Sequence, residues 1–264
     1  MFQCSNDYMI GILDSNLGGL ILIKEIINKF PEYQILYFAH TARGPFDNKG
    51  EGTIKKCAEQ GIDFLIKKGA KLIIVSDPCM AIVLKDTKTK VPVISLIDWL
   101  MDSAVKKSQN KRVGVIASHA VINSDFASKA IHQIDKGVKV LTKATPLLWP
   151  LIREGWLKRA VTKKVLKTYL YNLHCKQIDT LVLTDPVYSL LQDIIQIKIG
   201  RQVKIISPIS IIGPYLQKFL EDKPEIKKGL QKGHKHQFFV SDANCQVKTL
   251  ASQWLGQKIQ LKEI

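Results

Sequence analysis

The sequence predicts an α/β fold with mainly parallel sheets. Three observations predict it. Apolar runs recur without polar alternation, as expected of strands buried on both faces. Amphipathic helical segments separate them. And one strand ending occurs twice: Val75-Ser76-Asp77-Pro78 follows Leu72-Ile73-Ile74, and Leu183-Thr184-Asp185-Pro186 follows Thr180-Leu181-Val182.

Taken in order, the expected strands are Tyr8 to Leu13, Gln34 to Phe38, Lys71 to Val75, Val91 to Leu96, Arg112 to Ala117, Lys139 to Thr142, Thr180 to Leu183, Val203 to Ile206 and Gln237 to Val240. Each is a short run rich in Ile, Val, Leu or Phe, the residues that suit a buried pleated surface. Helices are expected between them, such as Gly19 to Asn28 and Gly52 to Lys67. In the latter, Ile54, Ala58, Gly61, Ile62 and Leu65 share one face at three-to-four spacing. The polar, Lys-rich stretch Glu221 to His236 reads as a mobile surface connection.

Composition narrows the class. At 264 residues, 46% hydrophobic and 23% charged, the chain has ample material for one large domain or two small ones. No apolar run reaches the ~18 to 20 residues that span a bilayer. The opening Met1-Phe2-Gln3-Cys4-Ser5-Asn6-Asp7 lacks the basic and apolar regions of a signal peptide, so a cytoplasmic location is expected. The five cysteines are widely spaced with no C-x-x-C, which argues against a disulfide framework or structural zinc. Cys79, two residues past Asp77, either lines the same cleft or is a small buried hydrophobe.

The formal net charge is +16. Its basic residues are scattered in pairs such as Lys55-Lys56, Lys106-Lys107, Lys163-Lys164 and Lys227-Lys228. Without interleaved aromatics or a recognition motif, they read as solvated helix faces, and no specific nucleic-acid partner is expected. No membrane partner is expected either. There is no Walker A loop. The turn Asp14-Ser15-Asn16-Leu17-Gly18-Gly19 has too few glycines in the right places for a dinucleotide fingerprint. No PLP or nucleotide cofactor is therefore expected, although acidic side chains at strand ends have the chemistry to hold a divalent cation.

Several segments together resemble the glutamate racemase family, within the aspartate/glutamate racemase superfamily. Ile10-Gly11-Ile12-Leu13-Asp14-Ser15-Asn16-Leu17-Gly18-Gly19-Leu20 is similar to the family's I-G-x-x-D-S-G-x-G-G-L. Tyr37-Phe38-Ala39-His40-Thr41-Ala42-Arg43-Gly44-Pro45-Phe46 resembles Y-F-x-D-T-A-R-x-P-Y. Pro146 to Gly155 resembles P-L-x-x-P-L-V-E-x-G, and Leu183 to Leu191 follows L-G-C-T-H-Y-P-L-L at the leucines and Tyr188. Phe238 to Asp242 and Trp254-Leu255-Gly256 also fit. The resemblance is collinear over nearly the whole chain.

That resemblance implies two similar α/β domains related by a pseudo-twofold axis, with the active site in the cleft between them. One domain would be residues 1–97 plus 205–264 and the other residues 98–204. It implies an isomerase that moves a proton at an α-carbon without a cofactor, using one thiol on each face. Asp77 and Asp185 stand where the family has those two catalytic cysteines. At the first position, a slip of one residue would place Ser76 there instead.

The ligand-holding positions also depart from the family. Pro78-Cys79 replaces Asn-Thr, Pro186-Val187 replaces Thr-His, and Ser118 and Val121 replace two threonines. His40 replaces the Asp of D-T-A-R, and Pro45-Phe46-Asp47 replaces P-Y-G. The implied pocket would be lined by Asp14, Ser15, Thr41, Pro45, Phe46, Ser76, Cys79, Ser118 and Thr184, with Asp98 as a further acidic candidate.

Three readings follow. In the first, a repurposed pocket uses Asp77 and Asp185 for acid–base chemistry or binds a small neutral or cationic ligand. Two carboxylates in one cleft push their pKa values apart, and a dianion such as glutamate would meet like charge there. Glutamate racemisation is not expected, because both thiol positions are aspartate and most carboxylate-gripping donors are replaced. In the second, the protein is an inactive pseudoenzyme acting through a protein partner or a homodimer. In the third, it remains an amino-acid racemase of the glutamate/aspartate type with non-cysteine bases, supplying a peptidoglycan precursor. For each aspartate alone the plain alternative is a helix cap at a strand end. His40 and His119 are further candidates for a base or a metal ligand, against a structural role.

Overall fold

A computed structural model describes residues 8–230 and 232–264. Cys4 lies outside them. The chain forms two compact units, residues 1–96 with 212–264, and residues 97–211.

The first unit opens with strand β1 (Met9–Asp14), helix α1 (Gly18–Lys29), β2 (Ile35–Ala39), α2 (Glu51–Lys67), β3 (Ala70–Val75), α3 (Pro78–Val83) and β4 (Val93–Ser95). The second unit holds nearly all of α4 (Leu96–Lys107), then β5 (Arg112–Ala117), α5 (His119–Asn123), α6 (Phe126–Ile134), β6 (Lys139–Ala144), α7 (Leu148–Arg153), α8 (Ala160–Cys175), β7 (Thr180–Leu183), a 3-10 turn over Pro186–Leu191, α9 (Gln192–Ile199) and β8 (Lys204–Ile206). Helix α10 (Pro208–Asp222) carries the chain back. The first unit then closes with α11 (Pro224–Gly229), β9 (Gln237–Val240), α12 (Cys245–Leu255) and β10 (Leu261–Glu263).

Each unit has its own parallel sheet. The first runs β10-β9-β2-β1-β3-β4 and the second β6-β5-β7-β8. Every residue of β1, β2 and β7 is buried, which is why their sequences show no polar alternation. Parallel pairing puts the carboxyl ends of all strands of a sheet on one side. In open α/β sheets, ligand-binding residues collect on that side.

The expected strands are all present, with β5, β7 and β9 matching residue for residue. Two expectations change. The return to the first unit was placed at residue 205, but Ile205 and Ile206 pair with Leu181 and Val182 of β7. The hydrogen bonds of β8 therefore keep it in the second sheet, and the first unit resumes at Ile212. The stretch from Glu221 to His236 is not a bare connection. It contains α11, and Lys232 forms an antiparallel bridge with Tyr33. Strand β10 was not expected.

The lysine pairs Lys55-Lys56, Lys106-Lys107, Lys163-Lys164 and Lys227-Lys228 are exposed, as the amphipathic reading required. Among the described residues no helix is long and apolar enough to cross a membrane.

Candidate functional site

The duplicated strand-Asp-Pro motif has a local structural cause at both places. Asp77 is the N-cap of α3, and one carboxylate oxygen accepts the Met80 N–H at 2.7 Å. Asp185 caps the 3-10 turn and accepts the Val187 N–H at 3.0 Å. In each case the following proline takes the first helical position, where its missing N–H costs nothing and its fixed φ suits the turn. Both aspartates are partly buried. Capping explains why each carboxylate is held firmly at a strand end. It does not explain the surroundings of Asp77.

In the first unit, β1 and β3 are neighbours, so their last residues lie side by side. The Ser15 hydroxyl donates a short hydrogen bond to the second carboxylate oxygen of Asp77. Asp14, fully inside the fold at 4% exposure, accepts the Asn16 N–H at 3.2 Å and a shorter bond from the Gly19 N–H. Gly19 is required here because of close approach. A Cβ at this position would meet Asp14 Oδ2 at 2.8 Å, the Tyr37 ring at 2.9 Å and Ser76 Oγ at 3.0 Å. Tyr37, buried on β2, donates its hydroxyl to the Asn16 carbonyl at 2.7 Å.

These contacts set the protonation of the cluster. Burial raises the Asp14 pKa, and the hydrogen bonds from Gly19, Asn16, Ser15 and Ser76 oppose it. Burial pushes the Asp77 pKa up to about 7, the nearby Asp14 charge adds to the shift, and Ser15 and Met80 pull it back. The Tyr37 hydroxyl is held protonated by burial and by Asp14. Two carboxyls, a hydroxyl and a phenol thus form one acidic cluster at the carboxyl ends of three adjacent strands.

The other expected pocket residues of this unit have definite places. Ser76 is buried, and its hydroxyl donates to the Leu13 carbonyl at 3.0 Å while staying beside Asp14. Cys79 is buried in α3. Thr41 ties β2 to the end of β9, donating to the Asp242 carbonyl at 2.7 Å and accepting its N–H at 2.9 Å. Pro45 is exposed, and Phe46 is a core residue with 1% exposure. His40 is structural. Its Nε2 bonds the Cys57 carbonyl at 2.7 Å, its ring packs edge-on against Phe38, and burial lowers its pKa.

In the second unit, Thr184 is buried and donates to the Ile116 carbonyl at 3.1 Å. Ser118 caps α5 through Val121 N–H at 3.4 Å. His119 is the first residue of α5, and Asp98 lies in the first turn of α4. Two residues not singled out from the sequence join this strand end. The Thr145 hydroxyl lies 3.1 Å from the Ala117 carbonyl and 3.2 Å from the Tyr188 hydroxyl. Thr145 directly follows β6, a position that strand-end reasoning would have flagged. Tyr37 and Asn16 carried no comparable signal.

The chain aligns along 95% of its length with 93% of the glutamate racemase of Geobacter metallireducens, at 33% identity. The chain belongs to the glutamate racemase family. The racemase of Chlorobaculum tepidum is 32% identical over 97% of this chain and 96% of its own. Among solved structures, the glutamate racemase isoform RacE1 of Bacillus anthracis superposes with a TM-score of 0.88 at 27% identity, covering 97% of each chain. That of Francisella tularensis, solved with D-glutamate, superposes with a TM-score of 0.87 at 28% identity, covering 98% of each. An aspartate racemase of Picrophilus torridus shares the fold, with a TM-score of 0.59 over 81% of this chain and 94% of its own. No family model matches the sequence. The strand ends that carry the acidic cluster are thus part of a glutamate racemase scaffold. Among the described residues no group of three His, Cys, Asp or Glu is placed to hold a metal ion.

Proposed function

We propose that this protein is an amino-acid racemase of the glutamate/aspartate type in which two carboxylates replace the family's two thiols. Asp77 and Asp185, at the positions of the family's two thiols, are the proposed acid–base residues. One observation carries the reading: burial and the neighbouring Asp14 raise the Asp77 pKa to about 7. An ordinary aspartate near 3.9 is too weak a base to stand in for a thiol near 8.5. At about 7 the gap narrows to roughly 1.5 units, and near neutral pH the group exists in both forms. It can then take a proton in one direction and return one in the other.

In this mechanism Asp77 exchanges a proton with the α-carbon, as a base when ionised and as an acid when protonated, and Asp185 is the proposed second acid–base group. Ser15 and the Met80 N–H hold Asp77 in one orientation. Burial, with the nearby Asp14, keeps its proton affinity high. By microscopic reversibility the two groups exchange roles when the reaction runs in the other direction. The product would be a D-amino acid of the kind used in peptidoglycan.

A second reading keeps the pocket but not the turnover. It rests on the replacement of ligand-gripping donors by Pro78-Cys79 and Pro186-Val187 and on the acidity of the Asp14–Asp77 cluster. Such a pocket favours a neutral or cationic ligand over a dicarboxylate. Without turnover, the protein would act through such a ligand or through a protein partner.

Incubation with L- and D-glutamate and L- and D-aspartate in D₂O, followed by proton NMR, separates the readings. The racemase reading requires loss of the α-proton signal for at least one of them, abolished by Asp77→Asn and by Asp185→Asn. The second reading requires no exchange, with thermal stabilisation by amines and none by dicarboxylates.

A further inference from the structure

A polar cavity lies in the first unit at the end of its sheet opposite the Asp14–Asp77 cluster. Asp14 and Asp77 stand at or just past the carboxyl ends of β1 and β3. The cavity, of about 320 Å³, sits where the chain enters β9 and β10, at their amino ends. Its lining includes His234, Lys235, His236, Lys258 and Lys262, and none of the lining residues is Asp or Glu.

Two features make it more than a scatter of surface lysines. Lys235 and Lys258 have no ion-pair partner among the described residues, so their charge is uncompensated. And His236 is a fixed donor. Its Nδ1 accepts the Ile35 N–H at 3.2 Å, which leaves the ring proton on Nε2. Burial and the neighbouring His234 keep the ring neutral. The Nε2–H has no partner among the described residues, and it is not sealed from solvent. The Lys262 ammonium is used elsewhere, 5.6 Å above the Phe239 ring.

We propose that this cavity binds a compact phosphate anion of the diphosphate class. The two free ammonium groups supply charge, and the oriented His236 N–H supplies a directional hydrogen bond. A small concave site suits a short polyphosphate better than an extended duplex backbone, which needs a long basic track. The site is independent of the acid–base cluster.

The test is calorimetric titration of the full chain with inorganic pyrophosphate at constant ionic strength. Saturable binding with one site per chain is expected. It should weaken at least tenfold in the double variant Lys235→Glu/Lys258→Glu. The control double variant Lys227→Glu/Lys228→Glu changes net charge equally on exposed α11 and should keep wild-type affinity. Folding of both is checked by circular dichroism. Competition by ADP would identify a nucleotide as the carrier of the diphosphate, and its failure to compete would identify the free anion; the site stands in either case. Equal weakening in both double variants would overturn the proposal, as would the absence of saturable binding at millimolar pyrophosphate. Binding of a DNA duplex without binding of pyrophosphate would also overturn it.

Discussion

The Ser15 hydroxyl donates to the Asp77 carboxylate, joining the turn after β1 to the end of β3 across 62 residues of sequence. The bond stabilises the ionised form of Asp77, whereas Asp14 disfavours it. Burial therefore raises the proton affinity of Asp77 most, and these two neighbours of opposite sign adjust it.

Those neighbours are separable by mutation. Ser15→Ala removes a hydrogen bond to a charged group, worth about 1.5 to 3 kcal/mol. It should raise the Asp77 pKa by roughly 1 unit or more. Asp14→Asn keeps an acceptor for the Gly19 N–H but removes the charge, and should lower it. Carboxyl ¹³C NMR across a pH series checks both. Shifts of the same sign would contradict the electrostatic account.

Stability should depend on pH through the same group. The Asp77 pKa rises from 3.8 to about 7 on folding. Between those values the folded state binds the proton that the unfolded state has released. The stabilising contribution is full below about pH 3.8 and is lost as pH rises through 7. A shift of about 3 units corresponds to at most about 4 kcal/mol. Asp77→Asn retains a capping side chain and cannot ionise. Its melting temperature should exceed that of the wild type at pH 8, with the advantage shrinking toward pH 5. An equal difference at both values would show that the group does not titrate in this window.

Gly19→Ala should destabilise the first unit by about 1 to 3 kcal/mol, because its methyl group would press on Asp14, Tyr37 and Ser76 together. Urea denaturation measures the loss. A neutral outcome would mean that the cluster is looser than its distances indicate.

Tyr188→Phe removes the hydroxyl 3.2 Å from Thr145 in the second unit. The cost should be close to 1 kcal/mol, with the fold unchanged, as for a single neutral hydrogen bond. Urea denaturation again provides the measurement.

Much of this organisation was legible in the sequence. Strands such as β5 and β7 are apolar runs closed by a polar strand end, so their limits were plain. Strand β10 was not, because Leu261-Lys262-Glu263 is three residues long with two charges, the usual character of a protected edge strand. The end of the second unit was misplaced because β8 is equally short and only its pairing with β7 assigns it. Asp77 and Asp185 stood out through a repeated local pattern. The partners that tune Asp77 did not stand out as a set. Tyr37 and Asn16 meet only because β2 pairs with β1, and Asp14 reaches Asp77 only because β3 pairs on its other side. Periodicity does not encode contacts of that kind. Phe46 shows the converse: its family position suggested a ligand role, yet its side chain is packed into the fold.

The proposed chemistry is tested most directly by deuterium exchange at the α-carbon. Purified protein is incubated with each enantiomer of glutamate and aspartate in D₂O near pH 7.5, and the α-proton resonance is followed. The account predicts loss of that resonance for at least one of these amino acids, with both enantiomers formed, and no loss with Asp77→Asn or Asp185→Asn. Full retention of the α-proton by the wild-type protein for all four, or undiminished exchange in the Asp77→Asn variant, would contradict it.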